Sequence, residues 1–301
     1  MNTARRAGYV ALLGRPNVGK STLLNRSLAQ KISITSPKPQ TTRHTILGIQ
    51  TLANTQIVYV DTPGLHLNAR RVMNRYMNRT ASSVLSYVDA VVFLVEALGW
   101  TEEDEAVLRR LETFQGPVIL AVNKVDRVAD KTRLLPFLQN VGGKRTFVEV
   151  VPLSARQGDN VDVLERLLAG LLPESEFLFA EDQVTTASQG FIAAELIREK
   201  LIRCLRQELP YALTVEIERF VEEGQMLHIG AVIWVERQSQ KQIVIGARGA
   251  TLKEVGRQAR EDMERIFACK VFLETWVKVQ AGWSDDERAL RSLGYQDHSQ
   301  E

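Results

Sequence analysis

Gly14-Arg15-Pro16-Asn17-Val18-Gly19-Lys20-Ser21 has the spacing G-x-x-x-x-G-K-S, and few stretches of this length restrict a fold as tightly. Glycines let the backbone curl with its N–H groups pointing inward, a geometry that cradles phosphate. Lys20 then reaches the β and γ phosphates, and the Ser21 hydroxyl is a hard oxygen suited to Mg²⁺. Upstream, Tyr9 to Leu13 is a short apolar run fit for a buried parallel strand, and Ser21 to Asn25 continues as helix. A helix starting near Lys20 aims its positive end at the same anion.

Further apolar runs follow at Ile57 to Val60, Ala90 to Val95, Val118 to Val122 and Phe147 to Val151, separated by helical or loop sequence. That alternation predicts a doubly wound α/β domain with a mostly parallel sheet. Ligands of such folds bind beyond the carboxyl ends of the strands. One run ends in Asp61-Thr62-Pro63-Gly64, a carboxylate able to hold Mg²⁺ through water and a glycine whose N–H can approach a γ-phosphate. Another ends in Asn123-Lys124-Val125-Asp126, where Asp126 can accept from N1–H and the exocyclic amine of guanine. Adenine lacks that amine and presents an acceptor at N1, a mismatch that discriminates by about 10⁴-fold or more in a buried polar site. The last run leads into Ser154-Ala155-Arg156, whose backbone is placed to contact the guanine oxygen.

In this order, each at a predicted strand end, GRPNVGKS, DTPG, NKVD and SAR resemble the TRAFAC-class GTPases of the Ras-like P-loop fold. The resemblance implies GTP and GDP as ligands, with Mg²⁺. Their contacts would come from Gly14, Arg15, Pro16, Asn17, Val18, Gly19, Lys20, Ser21 and Thr22, from Asp61, Thr62, Pro63, Gly64 and Leu65, and from Asn123, Lys124, Val125, Asp126, Ser154 and Ala155. Ser36 to His44, an exposed polar loop by its prolines, becomes switch I, with Thr42 joining Ser21 and Asp61 as a metal ligand. Leu65 to Asn78 becomes switch II. Both order with GTP and relax after hydrolysis.

Catalysis is expected from Lys20, Thr42, Gly64 and Asn17. Where Ras-like enzymes carry a water-orienting glutamine this chain has His66, read as a non-catalytic switch histidine, and no arginine finger can be assigned in cis. Unassisted hydrolysis is then slow, on the order of 10⁻⁴ to 10⁻³ s⁻¹ on the Ras scale. Asn17 stands where potassium-activated members of the class hold a monovalent cation, so K⁺ is expected to replace the finger.

At 301 residues the chain is long for one core and suits two domains. The net charge of +2 conceals any local patch, so partners have to be argued residue by residue. No apolar run approaches the roughly 18 residues of a membrane-spanning helix. Cys204 and Cys269 stand far apart, outside any metal-ligand spacing, and are expected to be reduced and buried. A helical pattern at Val163 to Leu168 ends near Leu172-Pro173, and Glu174 to Thr186 has the acidic, turn-rich composition of a linker. Beyond it come a helix from Ile192 to Leu205, strands at Ala212 to Val221 and Met226 to Glu236, a helix from Leu252 to Phe267 and a strand from Lys270 to Val279.

Ile243-Val244-Ile245-Gly246-Ala247-Arg248-Gly249 carries G-x-x-G between helices, and this order of elements resembles a type II KH domain, an α+β module. The loop of such a module clamps single-stranded RNA. RNA contacts are expected from Lys241, Ile245, Gly246, Ala247, Arg248, Gly249 and Lys253. From Lys241 to Arg260 the basic residues Lys241, Arg248, Lys253, Arg257 and Arg260 face one acid, Glu254.

Nearly the whole chain resembles the Era-like GTPases of ribosome assembly. The stretches that carry this are GRPNVGKS with PKPQTTRH, DTPGLH, NKVD, ELPYALTVEIERF and IVIGARGATLKEVGRQARE. The resemblance divides the chain into a GTPase domain at 1–172, a linker at 173–187, a KH domain at 188–280 and a tail at 281–301. It implies binding near the 3′ end of 16S rRNA, a role in assembly of the 30S small ribosomal subunit and in rRNA maturation, and no DNA partner. It further implies a cytoplasmic location with peripheral association at the inner membrane. Ser27, polar on an apolar helix, and Cys204 depart from the family pattern but touch no motif. Two other readings stand beside this one. The first is an RNA-binding module with a non-hydrolysing GTP-sensing site. The second is a tRNA-modification GTPase, which needs a C-terminal cysteine motif and a folate-binding domain that the sequence does not show.

Overall fold

The computed structural model describes residues 4–38, 40–65, 71–205, 209 and 212–295. They form two compact units, one drawn from Met1–Ser33, Thr42–Arg70 and Asn74–Thr186 and the other from Ile34–Thr41, Arg71–Met73 and Ala187–Glu301.

The first unit is built on strands β1 (Arg6–Leu13), β2 (Ile46–Leu52), β3 (Thr55–Asp61), β4 (Ala90–Glu96), β5 (Val118–Asn123) and β6 (Glu149–Pro152), in the order β2-β3-β1-β4-β5-β6. Pairing is parallel throughout except between β2 and β3. Helices α1 (Lys20–Ser27), α2 (Val72–Ser83), α3 (Glu102–Leu111), α4 (Leu134–Gly142) and α5 (Val161–Leu171) alternate with the strands. The central strands are the apolar runs of the sequence, because a parallel strand covered on both faces has no solvent side to mark with polar residues. Val91 to Val95 and Ile119 to Val122 are wholly buried.

β2 was not among the predicted strands. It lies at the sheet edge, is only partly buried and closes a hairpin with β3, so it lacks the continuous apolar signal of its neighbours. Residues 174–186 run along this unit: Thr185 bridges Gly48, and Ile49 N–H donates to the Val184 carbonyl at 2.8 Å. The buried Gln56 amide holds the same stretch, donating to the Phe179 carbonyl at 2.9 Å and accepting from the N–H groups of Leu178 and Phe179. The exposed edge of β2 thereby gains partners for its backbone.

The second unit carries a sheet of β7 (Leu213–Glu223), β8 (Met226–Val235) and β9 (Lys270–Val279), with β7 antiparallel and β9 parallel to β8. Helices α6 (Gln189–Cys204), α7 (Gln238–Ile245) and α8 (Ala250–Phe267) share one core with the sheet, including Ile197, Leu201, Ile233, Val244, Val255 and Met263. Within this unit the fully buried Glu199 accepts from Thr35 N–H at 3.1 Å and from Arg203 at 2.8 Å, which compensates the burial of its charge. Trp283 is buried and stacks on Tyr295 ahead of and behind α9 (Glu287–Ser292), and the Tyr295 hydroxyl meets Thr214 Oγ1 at 2.9 Å.

The cysteines depart from expectation. Cys204 is exposed because it ends α6, and Cys269 is half-buried in the turn between α8 and β9. Among the described residues no helix is long and apolar enough to cross a membrane.

Candidate nucleotide site and nucleic-acid interface

The loop from Gly14 to Gly19 joins β1 to α1, and its glycines are demanded by the backbone. Gly14 (φ +153°) faces the Leu94 carbonyl at 2.5 Å from any Cβ, and Gly19 (φ +107°) leaves no room beside the Asn123 amide. Asn17 takes a left-handed conformation, φ 63°, and Val18 is buried. Lys20 Nζ curls back across the loop to donate to the carbonyls of Gly14 at 2.9 Å and Arg15 at 3.1 Å. Burial pulls its ammonium down to about 8, with Asp61 opposing. Thr22 follows in the first turn of α1.

Four side-chain oxygens, from Ser21, Ser33, Thr42 and Asp61, converge at the end of β3. Ser21 Oγ donates to Asp61 Oδ2 at 2.6 Å and lies 2.9 Å from Thr42 Oγ1. Ser33 Oγ donates to the same Asp61 oxygen at 2.9 Å. Burial pushes the Asp61 carboxyl up, against those hydrogen bonds and the charge of Lys20. Asp61 Oδ1 is buried and has no hydrogen-bond partner among the described residues. A buried carboxylate with an orphaned oxygen and two hydroxyls is the hard donor set that Mg²⁺ takes. Thr41, Thr42 and Arg43 are buried where an exposed loop was expected, since Thr42 turns inward to Ser21.

Thr62 Oγ1 donates to the Leu12 carbonyl at 2.8 Å, which fixes the chain after β3 against β1. Pro63 follows, and Gly64 packs so closely that a Cβ would sit 2.8 Å from Pro16 Cα. Leu65 is in the core. His66, with the segment 66–70 of the expected switch II, lies outside the described residues.

The loops after β5 and β6 meet at the same end. Asn123 Nδ2 donates to the Val18 carbonyl at 2.7 Å while its Oδ1 accepts from Ala155 N–H at 3.0 Å, so one side chain ties the phosphate loop to Ala155. Asp126 Oδ1 accepts from Ser154 Oγ at 2.7 Å, and Val125 N–H donates to the Leu153 carbonyl. The predicted nucleotide residues are thus brought together from four separate loops.

Sequence reasoning missed a charge network behind them. Arg15 pairs with Glu96 at 3.2 Å and with the buried Asp104 at 3.1 Å, and Lys124 pairs with Glu96 at 2.8 Å. Asp104 also caps α3, accepting from Thr101 N–H and Oγ1 at 2.9 Å. The Thr101-x-x-Asp104 spacing is a helix-start signal that would have placed it.

In the second unit, Gly246 (φ 75°, ψ 178°) lies in a region only glycine enters, and its Cβ would fall 2.2 Å from Thr251 Oγ1. Ala247 and Arg248 stand exposed at the loop tip, and Gly249 (φ 79°) starts α8 with open space beside it. Lys241 and Ile245 lie on α7, Lys253 on α8. A groove of about 480 Å³ opens along α8 and is lined by Ala250, Lys253, Glu254, Gly256, Arg257, Arg260 and Leu273. Gly256 sits in mid-helix with nothing within 4 Å of a would-be Cβ. No packing need explains a residue that costs a helix about 1 kcal/mol, so its effect is an open groove wall. The basic face is more neutralised than the sequence implied: Arg257 is held by Glu254 at 2.6 Å and by Glu261 at 2.6 Å, and Arg260 by Glu264 at 3.2 Å.

A G-x-x-x-x-G-K-S loop, a strand-end Asp-x-x-Gly and an Asn-Lys-x-Asp loop on this sheet define a P-loop GTPase, here joined to a KH module. The matching family profiles are described as 50S ribosome-binding GTPase, over residues 9–124, and KH domain, over residues 208–284. GTPase Era of Azotobacter vinelandii is 58% identical over 97% of both chains, and GTPase Era of Pseudomonas aeruginosa 59% identical over 97% of this chain and 96% of its own. Among solved structures, an Aquifex aeolicus Era variant bound to GDP·AlF4⁻ matches with TM-score 0.93 and 37% identity, covering 97% of this chain and 100% of that one. Era in complex with MgGDPNP and nucleotides 1506–1542 of 16S ribosomal RNA matches with TM-score 0.93 and 38% identity over the same shares. The chain belongs to the Era family of GTPases.

Proposed function

We propose that this chain hydrolyses GTP to control binding near the 3′ end of 16S rRNA, in assembly of the 30S subunit and maturation of its rRNA. The likeness to the Era complex with MgGDPNP and that RNA segment carries the reading, because it spans both units at once. Residues 1–172 act as the nucleotide domain, 173–187 as connection, 188–280 as the RNA-binding domain and 281–301 as tail.

In this proposal the inward N–H groups of Gly14 to Gly19 and the ammonium of Lys20 hold the β and γ phosphates and offset charge that develops as water attacks in line. Ser21, Thr42 and Asp61 hold Mg²⁺, which supplies further neutralisation of the phosphate oxygens when bound. Gly64 brings its loop against Pro16 and the γ-phosphate. Asn123, Lys124, Val125, Asp126, Ser154 and Ala155 select guanine. Asn17 serves a monovalent cation, K⁺, in place of an arginine finger. Equal turnover in K⁺ and Na⁺ buffers, unchanged in Asn17→Ala, would remove that role.

Lys241, Ile245, Gly246 to Gly249 and Lys253 clamp the RNA backbone. Gel-shift affinity for a 3′-terminal 16S rRNA oligonucleotide is expected to be greater with a non-hydrolysable GTP analogue than with GDP; equal affinity would overturn the coupling. A cytoplasmic location is part of the proposal, since that is where such an RNA partner would be met. Peripheral attachment to the inner membrane is part of the same proposal, and flotation with anionic vesicles tests it.

A further inference from the structure

We infer that the outer face of β9 is a second RNA surface, on which bases stack after the strand leaves the G-x-x-G groove. The inference rests on the RNA-binding reading above. β9 is the last strand of its sheet, with no strand beyond it among the described residues. Its side chains alternate between two faces. On one face Leu273 lines the groove beside α8. On the other stand Lys270, Phe272, Glu274, Trp276 and Lys278, so a strand that leaves the groove over this edge meets them directly.

Phe272 and Trp276 are 46% and 47% exposed, in a unit whose other tryptophans are better covered. They lie four residues apart, about 13 Å along the strand. Trp276 leans over Gly230, where a Cβ would come within 3.3 Å of its ring, and Phe272 contacts His228 at 5.3 Å between centroids. Each ring is thus backed by β8 and open to solvent on its other side, the arrangement of a stacking platform. Lys270 and Lys278 flank the pair, but Lys270 pairs with Glu264 at 3.9 Å, Lys278 is committed to Glu218 at 2.8 Å, and Glu274 sits between the rings. That charge pattern suits bases and not a run of phosphates. The groove would hold backbone, and this face would hold bases.

The test compares two RNAs from the 3′ end of 16S rRNA, one of about six nucleotides, enough for a clamp that takes four, and one of about twelve. Phe272→Ala and Trp276→Ala are each expected to weaken the long RNA about tenfold and the short RNA less than twofold. Trp276→Phe should restore most of the loss and Trp276→Leu should not. The gain from length should change little with salt, unlike the clamp. Unchanged binding of the long RNA by the double variant would overturn the inference and leave the face to a protein partner. An equal loss for both lengths would also overturn it. If the wild-type chain binds neither RNA, the RNA-binding reading falls, and this one with it.

Discussion

Ser21 Oγ and Asp61 Oδ2 lie 2.6 Å apart, joining the start of α1 to the end of β3 around a carboxylate whose second oxygen has no partner among the described residues. An unpaired buried carboxylate oxygen is costly, and a divalent cation would remove that cost. Asp61→Asn keeps the shape and the acceptor for Ser21 and Ser33 but removes the charge. It is expected to lower GTP hydrolysis by about 10²-fold or more. In thermal unfolding, the extra stabilisation that Mg²⁺ adds to the GDP-bound wild type should be absent in the variant.

Guanine selection should depend on Asp126 far more than on its neighbour. Asp126→Ala is expected to weaken GTP binding by about 10²-fold or more and to close most of the gap to ATP, since the discriminating carboxylate is gone. Ser154→Ala removes one hydrogen bond, 2.7 Å long, that holds the carboxylate in place. Its cost should be nearer fivefold, about 1 kcal/mol. Competition of a fluorescent GDP analogue by GTP and by ATP measures both.

Glu96 bridges Arg15 of the phosphate loop and Lys124 of the base loop, which predicts a pH dependence. Burial would raise its carboxyl, but hydrogen bonds and charge from Lys124 and Arg15 outweigh burial and hold it below its ordinary 4.5. A carboxylate lowered in the folded state stabilises fully above 4.5, and that contribution fades as pH falls through the folded value. The side chain is 29% exposed, so Glu96→Gln should cost only about 1 kcal/mol at pH 7, a shift of about 2–4 °C. Thermal scans of wild type and variant should differ at pH 7 and converge as pH falls through the folded value below 4.5. Nucleotide release should be faster in the variant at pH 7.

What the sequence revealed and what it hid follow one physical division. Buried parallel strands and phosphate loops write themselves locally, as an unbroken apolar run at Val91 to Val95 or as glycines that the backbone requires at Gly14 and Gly19. β2 was hidden because an edge strand half-covered by residues 174–186 needs neither pattern. Arg15 and Lys124 were legible as loop residues, and Thr101-x-x-Asp104 marks a helix start, but their ion pairs with Glu96 and Asp104 were hidden because they exist only after β1, β4 and β5 lie side by side. The same holds for β9, whose alternation announces a strand but not that Leu273 turns to a groove while Phe272 and Trp276 turn to solvent.

The two loop glycines should fail in different ways. Gly246→Ala puts a Cβ 2.2 Å from Thr251 Oγ1 and 3.0 Å from its backbone N, at a φ and ψ that only glycine enters. It is expected to destabilise the second unit by several kcal/mol and to lose RNA binding through the fold. At Gly249 nothing lies within 4 Å, and φ 79°, ψ 9° is a left-handed conformation that Asn and Asp tolerate. Gly249→Asn should therefore leave stability within about 1 kcal/mol and RNA affinity within a few-fold. Gly249→Asp shares that backbone cost but sets a carboxylate where the clamp meets phosphate. Its affinity for a 3′-terminal 16S rRNA oligonucleotide should fall at least about tenfold below that of the Asn variant, with the slope of log affinity on log salt reduced by about one phosphate contact. Circular dichroism melts with filter binding at two salt concentrations separate the two failures, and equal affinities for the Asn and Asp variants would show that no phosphate approaches Gly249.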